Sequence, residues 1–468
     1  MSHDMKAKRF FLTIALASAP LPAQADAIDD YIKAEMARKD IPGLAIAVMR
    51  DGRVQRAKGY GFANLEHKVP VHPDTLFKSG ALGMQLTAAA VMLLVEDGKI
   101  RRDDPVRKYL PEVPASWQPV TIRQLLNHTS GLPATPNGDF RVDYTDEQLL
   151  AIIAKQDLNF AAGSRWRFSY AGYIVLGFMV KRVAGEYYAD LLSRRVFVPL
   201  GMRTARPIDE LAVIPNRAAG YERREKGLQN AEWISATANS TADGSLYLSA
   251  LDYAAWDAGI AAGRILKPGS WAEMGKPART TGGCSFPYGF GWYQEPSGGQ
   301  GAWRHSGSWQ GFQSFAIRYL GEKLTVAVFA NSDDADAGVI ARHVAGMVDP
   351  RLVQPRAAAV EDGDPRTKAR VERLLGDIAG NRASYEEFAD FARLDFDELM
   401  AVHGATLSPL GPLQEIGLFD RKTMCGETHY RYRARYAENV VEARLAIAPD
   451  GRISYLEIVP VGAWDAPL

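Results

Sequence analysis

Metal and serine chemistry each leave a recognisable spacing in a sequence, and this chain is short of both. Its eight histidines include no His-Glu-x-x-His pair that would set two imidazoles on one helix face around zinc. It has no Gly-x-Ser-x-Gly elbow, and no Ser-x-x-Lys, in which one helical turn puts an amine beside a hydroxyl nucleophile. Cys284 and Cys425 are the only cysteines. They read as two separate free thiols in different domains, with a single long-range bridge as the alternative. Tyr288, Trp292, Trp303 and Trp309 cluster around His305, a residue type that carries protons near neutral pH. Such rings make either core or a wall suited to a sugar ring or a flat acyl group. Arg431, Arg433 and Arg435 alternate along one segment, a pattern that reads first as a solvated face paired with acidic neighbours and second as a holder of anions.

The elements that would position these groups follow from the apolar pattern. Ile28, Ile32 and Met36 have helical spacing; Leu44 to Met49 is a short apolar strand, and Asp51-Gly52 supplies a hairpin turn into Val54 to Tyr60. Met84 to Val95 is apolar nearly all round, which suits a helix in the middle of a core, and Asp97-Gly98 ends it. Helical patterns recur around Leu125, over Gln148 to Ile153 and over Tyr173 to Val183, and strands return at Phe312 to Tyr319 and Leu324 to Phe329. The sheet is therefore expected to draw strands from both ends of this domain, with a helical middle. Residues 349–365 are rich in Pro, Ala and charge and read as a linker. Beyond it, residues 366–468 read as a small α+β module with a helix opened by Ser384-Tyr385-Glu386-Glu387 and three closing strands, His429 to Tyr436 and Arg452 to Val459 among them.

Among 468 residues, 47% are hydrophobic and Lys+Arg equals Asp+Glu at 55 each, so the chain is a globular protein with no net field toward nucleic acid or anionic lipid. Lys6, Lys8 and Arg9 precede the apolar run Phe10 to Ala19, and Ala23-Gln24-Ala25 has the small-x-small cleavage pattern. Residues 1–25 are thus expected to be a signal peptide and the mature protein periplasmic or secreted, with no membrane-spanning segment after cleavage.

Several segments together resemble the serine β-lactamase and penicillin-binding-protein family. They are Pro42 to Val48 (PGLAIAV), Asp74 to Lys99, Leu125 to Leu132 (LLNHTSGL), Pro199 to Met202 (PLGM), Tyr288 to Trp292 (YGFGW) and His305-Ser306-Gly307. The resemblance spans about residues 26–349. It implies an α/β fold of the α+β sandwich type, an antiparallel sheet flanked by helices with a helical insert, over residues 26–348. It also implies where chemistry should sit. The family opens its core helix with Ser-x-x-Lys, and the matching positions hold Ala81 and Met84. Its Tyr-x-Asn motif matches Phe168-Ser169-Tyr170, while a His-x-Gly form of its third motif is kept at residues 305–307.

On that alignment the family's nucleophile, base and phenol positions, Ala81, Met84 and Phe168, have lost their polar heads while keeping most of their volume. An alanine and a thioether can neither attack a carbonyl nor take a proton. Ser79, two positions earlier, would be rotated by about 200° on a helix, and Lys78 is similarly displaced. The resemblance therefore implies a non-hydrolytic pseudoenzyme whose pocket binds a peptide, glycan or acyl small molecule. Ala81, Tyr170, His305, Ser308 and Trp309 would be the ligand contacts, the first and fourth through backbone N–H groups facing a carbonyl oxygen. The alternative is a repurposed isomerase, cyclase or lyase with His305 and Tyr170 as acid and base. No metal or cofactor is expected, nor a nucleic-acid partner, and the C-terminal module is a candidate contact for a protein partner.

Overall fold

The computed structural model describes residues 22–461, apart from 225, 297–300, 354–358 and 438. The expected signal peptide therefore lies outside the described residues up to residue 21. A first helix, α1, runs over Pro22–Lys39.

A seven-stranded sheet organises the larger unit. In chain order its strands are β1 (Gly43–Arg50), β2 (Arg53–Asn64), β3 (Val69–Pro70), β4 (Tyr293–Glu295), β5 (Ala302–Trp309), β6 (Phe312–Tyr319) and β7 (Leu324–Ala330). They lie in the order β4-β5-β6-β7-β1-β2-β3, and every pairing is antiparallel. The first strand sits at the centre against the last, which is how a sheet built from both ends of a domain closes. The turn between β1 and β2 takes Asp51 and Gly52 to φ values of 52° and 70°, as the two-residue hairpin requires.

Alternation along β1 divides the core in two. Leu44, Ile46 and Val48 join Ile32, Val326, Val328, Ile340 and Val344 in a cluster under α1 and the helix Ala337–Val348. Ala45, Ala47 and Met49 point the other way, with Ala327 and Phe329, into the larger cluster shared with the helical insert. A one-residue slip of register would exchange these sets, so the apolar pattern fixes the pairing.

The helix α2 (Met84–Glu96) crosses that second core and is buried from Met84 to Leu94. Its two internal polar residues are both used. Gln85 Oε1 accepts from Tyr253 Oη and Trp256 Nε1 at 3.1 and 3.2 Å, and Thr87 Oγ1 donates to the Ala242 carbonyl at 2.7 Å. The latter bond ties a distant loop to the core, a point that matters for the site. A further long helix, α3, covers Tyr170–Ala184, with Ser169 as its N-cap accepting from Gly172 N at 2.9 Å.

The C-terminal unit has its own core. Helices α4 (Pro365–Ala379) and α5 (Phe396–Leu407) pack with four antiparallel strands, β8 (Glu415–Met424), β9 (Glu427–Arg435), β10 (Val440–Ile447) and β11 (Ile453–Val461), ordered as in the chain. Two expectations are corrected here. The sheet has four strands rather than three, because Glu415–Met424, mixed in charge and polarity, forms a full edge strand. Ser384 opens only the 3-10 turn Tyr385–Glu387, and its side chain makes no capping bond. The arginine face is ion-paired: Arg433 and Arg444 reach Glu442 at 3.4 and 2.8 Å.

The two units are in contact. The ring of Phe391 lies 5.6 Å from that of Phe160, with the guanidinium groups of Arg165 and Arg167 at 5.2 and 5.7 Å. Cys284 and Cys425 are free thiols, as expected, and they lie near each other across the same boundary: burial, with Cys284 adding, pushes Cys425 up to about 11. Among the described residues no helix is long and apolar enough to cross a membrane, and no group of three His, Cys, Asp or Glu side chains is placed to hold a metal.

Candidate functional site

A cavity of about 290 Å³ opens at the N-terminal end of α2. Its floor is Gly80 and Ala81, in the short 3-10 turn that leads into the helix. Tyr170 and Ile174 of α3 form one wall, and the segment from Thr135 to Leu149 contributes Pro136, Phe140 and Tyr144. The loop from Thr237 to Ser245 closes a third side, and Ser308 and Trp309, at the end of β5, the fourth.

The floor is assembled from backbone pressed on backbone. A Cβ on Gly244 would stand 2.1 Å from the Gly80 carbonyl oxygen, and one on Gly307 only 1.9 Å from that of Ser79. Glycine is required at both positions. Ser314 Oγ donates to the same Ser79 carbonyl at 2.6 Å, so three chain segments are locked at the point where α2 begins.

Four of the five expected ligand contacts, Ala81, Tyr170, Ser308 and Trp309, line this one cavity. His305 does not. It is 1% exposed, with Nδ1 2.7 Å from the Ser306 carbonyl and Nε2 2.9 Å from Tyr288 Oη. A carbonyl can only accept, so Nδ1 carries the proton and Nε2 accepts from the tyrosine. Burial lowers the imidazole to about 4, so it is neutral at ordinary pH and both its nitrogens are occupied. The Ser79 backbone, seated on Gly307, comes between His305 and Trp309 on their shared strand face. The proposed acid–base pair of His305 and Tyr170 is thus not assembled in the cavity.

Met84 is fully buried in the core and lies outside the cavity, and Phe168 packs tilted on His128 at 4.3 Å and edge to face against Tyr170 at 5.1 Å. Ser79 is buried with its hydroxyl donating to the Gly244 carbonyl at 2.7 Å, and Lys78 is bound to Glu210 and Gln310. Of the four aromatics around the third motif only Trp309 reaches the cavity. Tyr288 and Trp292 are core, and Trp303 packs on Trp292 at 5.6 Å.

The residue that sequence reasoning missed is Asp243. Its carboxyl enters the cavity wall, where Thr241 Oγ1 and Ser245 Oγ donate to Oδ1 at 2.7 and 3.2 Å. Burial outweighs these donors and pushes the acid up to about 6. Tyr170 faces it: burial first, then the Asp243 charge, raises the phenol to about 12. The available signal was an Asp-Gly pair in a loop, which reads as turn chemistry; the Thr87 bond to Ala242 that aims it inward is invisible in sequence.

The family model described as Beta-lactamase matches residues 28–347. The chain is similar to Penicillin-binding protein 4* of Bacillus subtilis (strain 168), 28% identical over 295 residues, covering 59% of this chain and 65% of that one. It is also similar to the D-aminopeptidase of Gluconobacter oxydans (strain 621H), 27% identical over 316 residues, with 65% and 58% covered. The match thus spans less than two thirds of the length of either relative. In structure, the octameric penicillin-binding protein homologue from Pyrococcus abyssi superposes with a TM-score of 0.64 at 22% identity, covering 94% of this chain and 96% of that one. At that identity the likeness concerns the fold, and it takes in both units.

Proposed function

The chain belongs to the Beta-lactamase family, and we propose that within it this protein is an exported, non-hydrolytic ligand-binding member whose pocket has kept its shape and lost its nucleophile. The observation that carries this reading is the floor of the cavity: a methyl group, Ala81, stands where the resemblance puts the attacking hydroxyl. Among the described residues, the two polar side chains that precede it in the chain do not substitute for it. Ser79 spends its hydroxyl proton on the Gly244 carbonyl, and Lys78 is engaged with Glu210 and Gln310 away from the cavity.

The remaining features suit binding without acyl transfer. Acyl transfer needs a nucleophile and a group to take its proton, and the cavity presents neither in the family's arrangement. Its volume and its mainly apolar, aromatic walls fit a small ligand or the end of a peptide or glycan. The likeness to a penicillin-binding protein and to a D-aminopeptidase supports a ligand from the amide or peptide classes. Export is supported by the basic, apolar and small-residue pattern of residues 1–25.

Turnover of nitrocefin and of a nitrophenyl ester tests the reading. Rates at the buffer background are the expected result, and hydrolysis well above it that is abolished by Ser79→Ala would overturn it.

A further inference from the structure

We propose that the cavity selects a cationic ligand, a primary or quaternary ammonium carried on an apolar body, with Asp243 as its counter-ion and the rings of Phe140, Tyr144, Tyr170 and Trp309 as its walls. This deepens the ligand-binding reading above and rests on it.

The charges around the cavity favour a cation. Among the described residues that line the cavity there are two acids, Asp243 inside and Asp139 at the rim, and no Lys, Arg or His. The nearest cation on the rim segment, Arg141, is already paired with Glu232. An anionic ligand entering this space would lose its hydration and meet a carboxylate with no protein cation in compensation. An ammonium would meet the opposite situation.

Asp243 is also held in a fixed position. Thr241 and Ser245 both donate to Oδ1, which fixes the plane of the carboxyl within the wall. A carboxylate kept in a largely apolar cavity without a positive partner is unfavourable, and the loop that holds it there is anchored to the core through Thr87. An incoming ammonium completes the pair with a charge-assisted hydrogen bond or, if quaternary, with a contact ion pair.

The walls agree. Phe140 and Trp309 meet edge to face at 6.0 Å, and Tyr170 is held by Phe168 at 5.1 Å. Trp309 is fixed further by its indole N–H, which donates to Asn239 Oδ1. Aromatic faces around an aliphatic ammonium attract it through their quadrupoles, most strongly where water is excluded. A cavity of about 290 Å³ accepts a benzyl-sized cation whole.

The test is calorimetric titration of the full chain at pH 7.5 with benzyltrimethylammonium, benzylamine, benzyl alcohol and benzoate. Selectivity in the unaltered protein requires no variant: the two cations should bind at least about tenfold more tightly than the alcohol and the anion. In Asp243→Asn, close in shape, cation affinity should drop about tenfold or more while that for benzyl alcohol stays. Benzoate binding as well as the cations, no binding of either cation, or cation affinity unchanged in Asp243→Asn would each overturn the proposal. The nitrocefin and nitrophenyl ester assays stand apart from these titrations, so hydrolysis would remove the non-hydrolytic reading whatever the amines do.

Discussion

The hydroxyl of Ser79, buried beneath the cavity floor, donates to the carbonyl oxygen of Gly244 in the cavity wall at 2.7 Å. That bond makes the nearby serine a structural strut. Ser79→Ala removes one of the two donors to the Gly244 carbonyl, leaving the Leu246 N–H at 2.7 Å, and should lower stability by about 0.5–1.5 kcal/mol. Urea denaturation measures the loss, and ester hydrolysis should stay at background before and after. A variant as stable as the parent would contradict the strut role.

Asp243 gives a pH signature of its own. Its acid is raised from the ordinary aspartate range to about 6 in the folded protein, so the folded state holds the proton more tightly than the unfolded one. Its contribution to stability is therefore most favourable below about pH 4, falls as pH rises to about 6, and is constant above. Asp243→Asn removes the penalty and should stabilise the ligand-free protein by about 1–2 kcal/mol at pH 7.5, discounted because the cavity admits water, with little gain at pH 4. Thermal melts at the two pH values check this; a gain equal at both would point to packing rather than charge.

His305 behaves in the opposite sense. Its imidazole is lowered to about 4, so folding favours the neutral ring. That stability is fully present above the unfolded value of about 6.5 and is lost as pH falls toward 4. In an NMR titration the ring signals of His305 should stay constant from pH 8 to pH 5.5, and a midpoint near 6.5 would refute the buried tautomer described above.

The Cys284–Cys425 contact predicts that the two units can be joined. Exchange with oxidised glutathione would form one protein disulfide and release two reduced glutathione molecules. A non-reducing peptide map should then contain a peptide linking residues 284 and 425, absent from Cys425→Ser. Only glutathione-capped single thiols after the same treatment would count against the contact.

Much of the scaffold was legible from periodicity. The continuous apolar runs of β1 and β7 and the all-round apolar α2 are local patterns, and local patterns survive into structure. The edge strand Glu415–Met424 was not legible, because an exposed strand mixed in charge carries little alternation. Within the site, Ala81, Tyr170, Ser308 and Trp309 converge as their motif positions implied, whereas His305 does not. Its strand carries it on the same face as Trp309, but the Ser79 backbone lies on Gly307 between them, a contact between residues more than 200 apart. Asp243 escaped for the same reason: its direction is set by Thr87, 155 residues from the carbonyl that it binds.

The central claim, a family pocket without an acylating group, is tested most directly by intact mass spectrometry of the purified protein after prolonged incubation with excess benzylpenicillin and with a fluorophosphonate. We predict an unchanged mass with both reagents. A stoichiometric adduct mapping to Ser79 or to any side chain lining the cavity would contradict it.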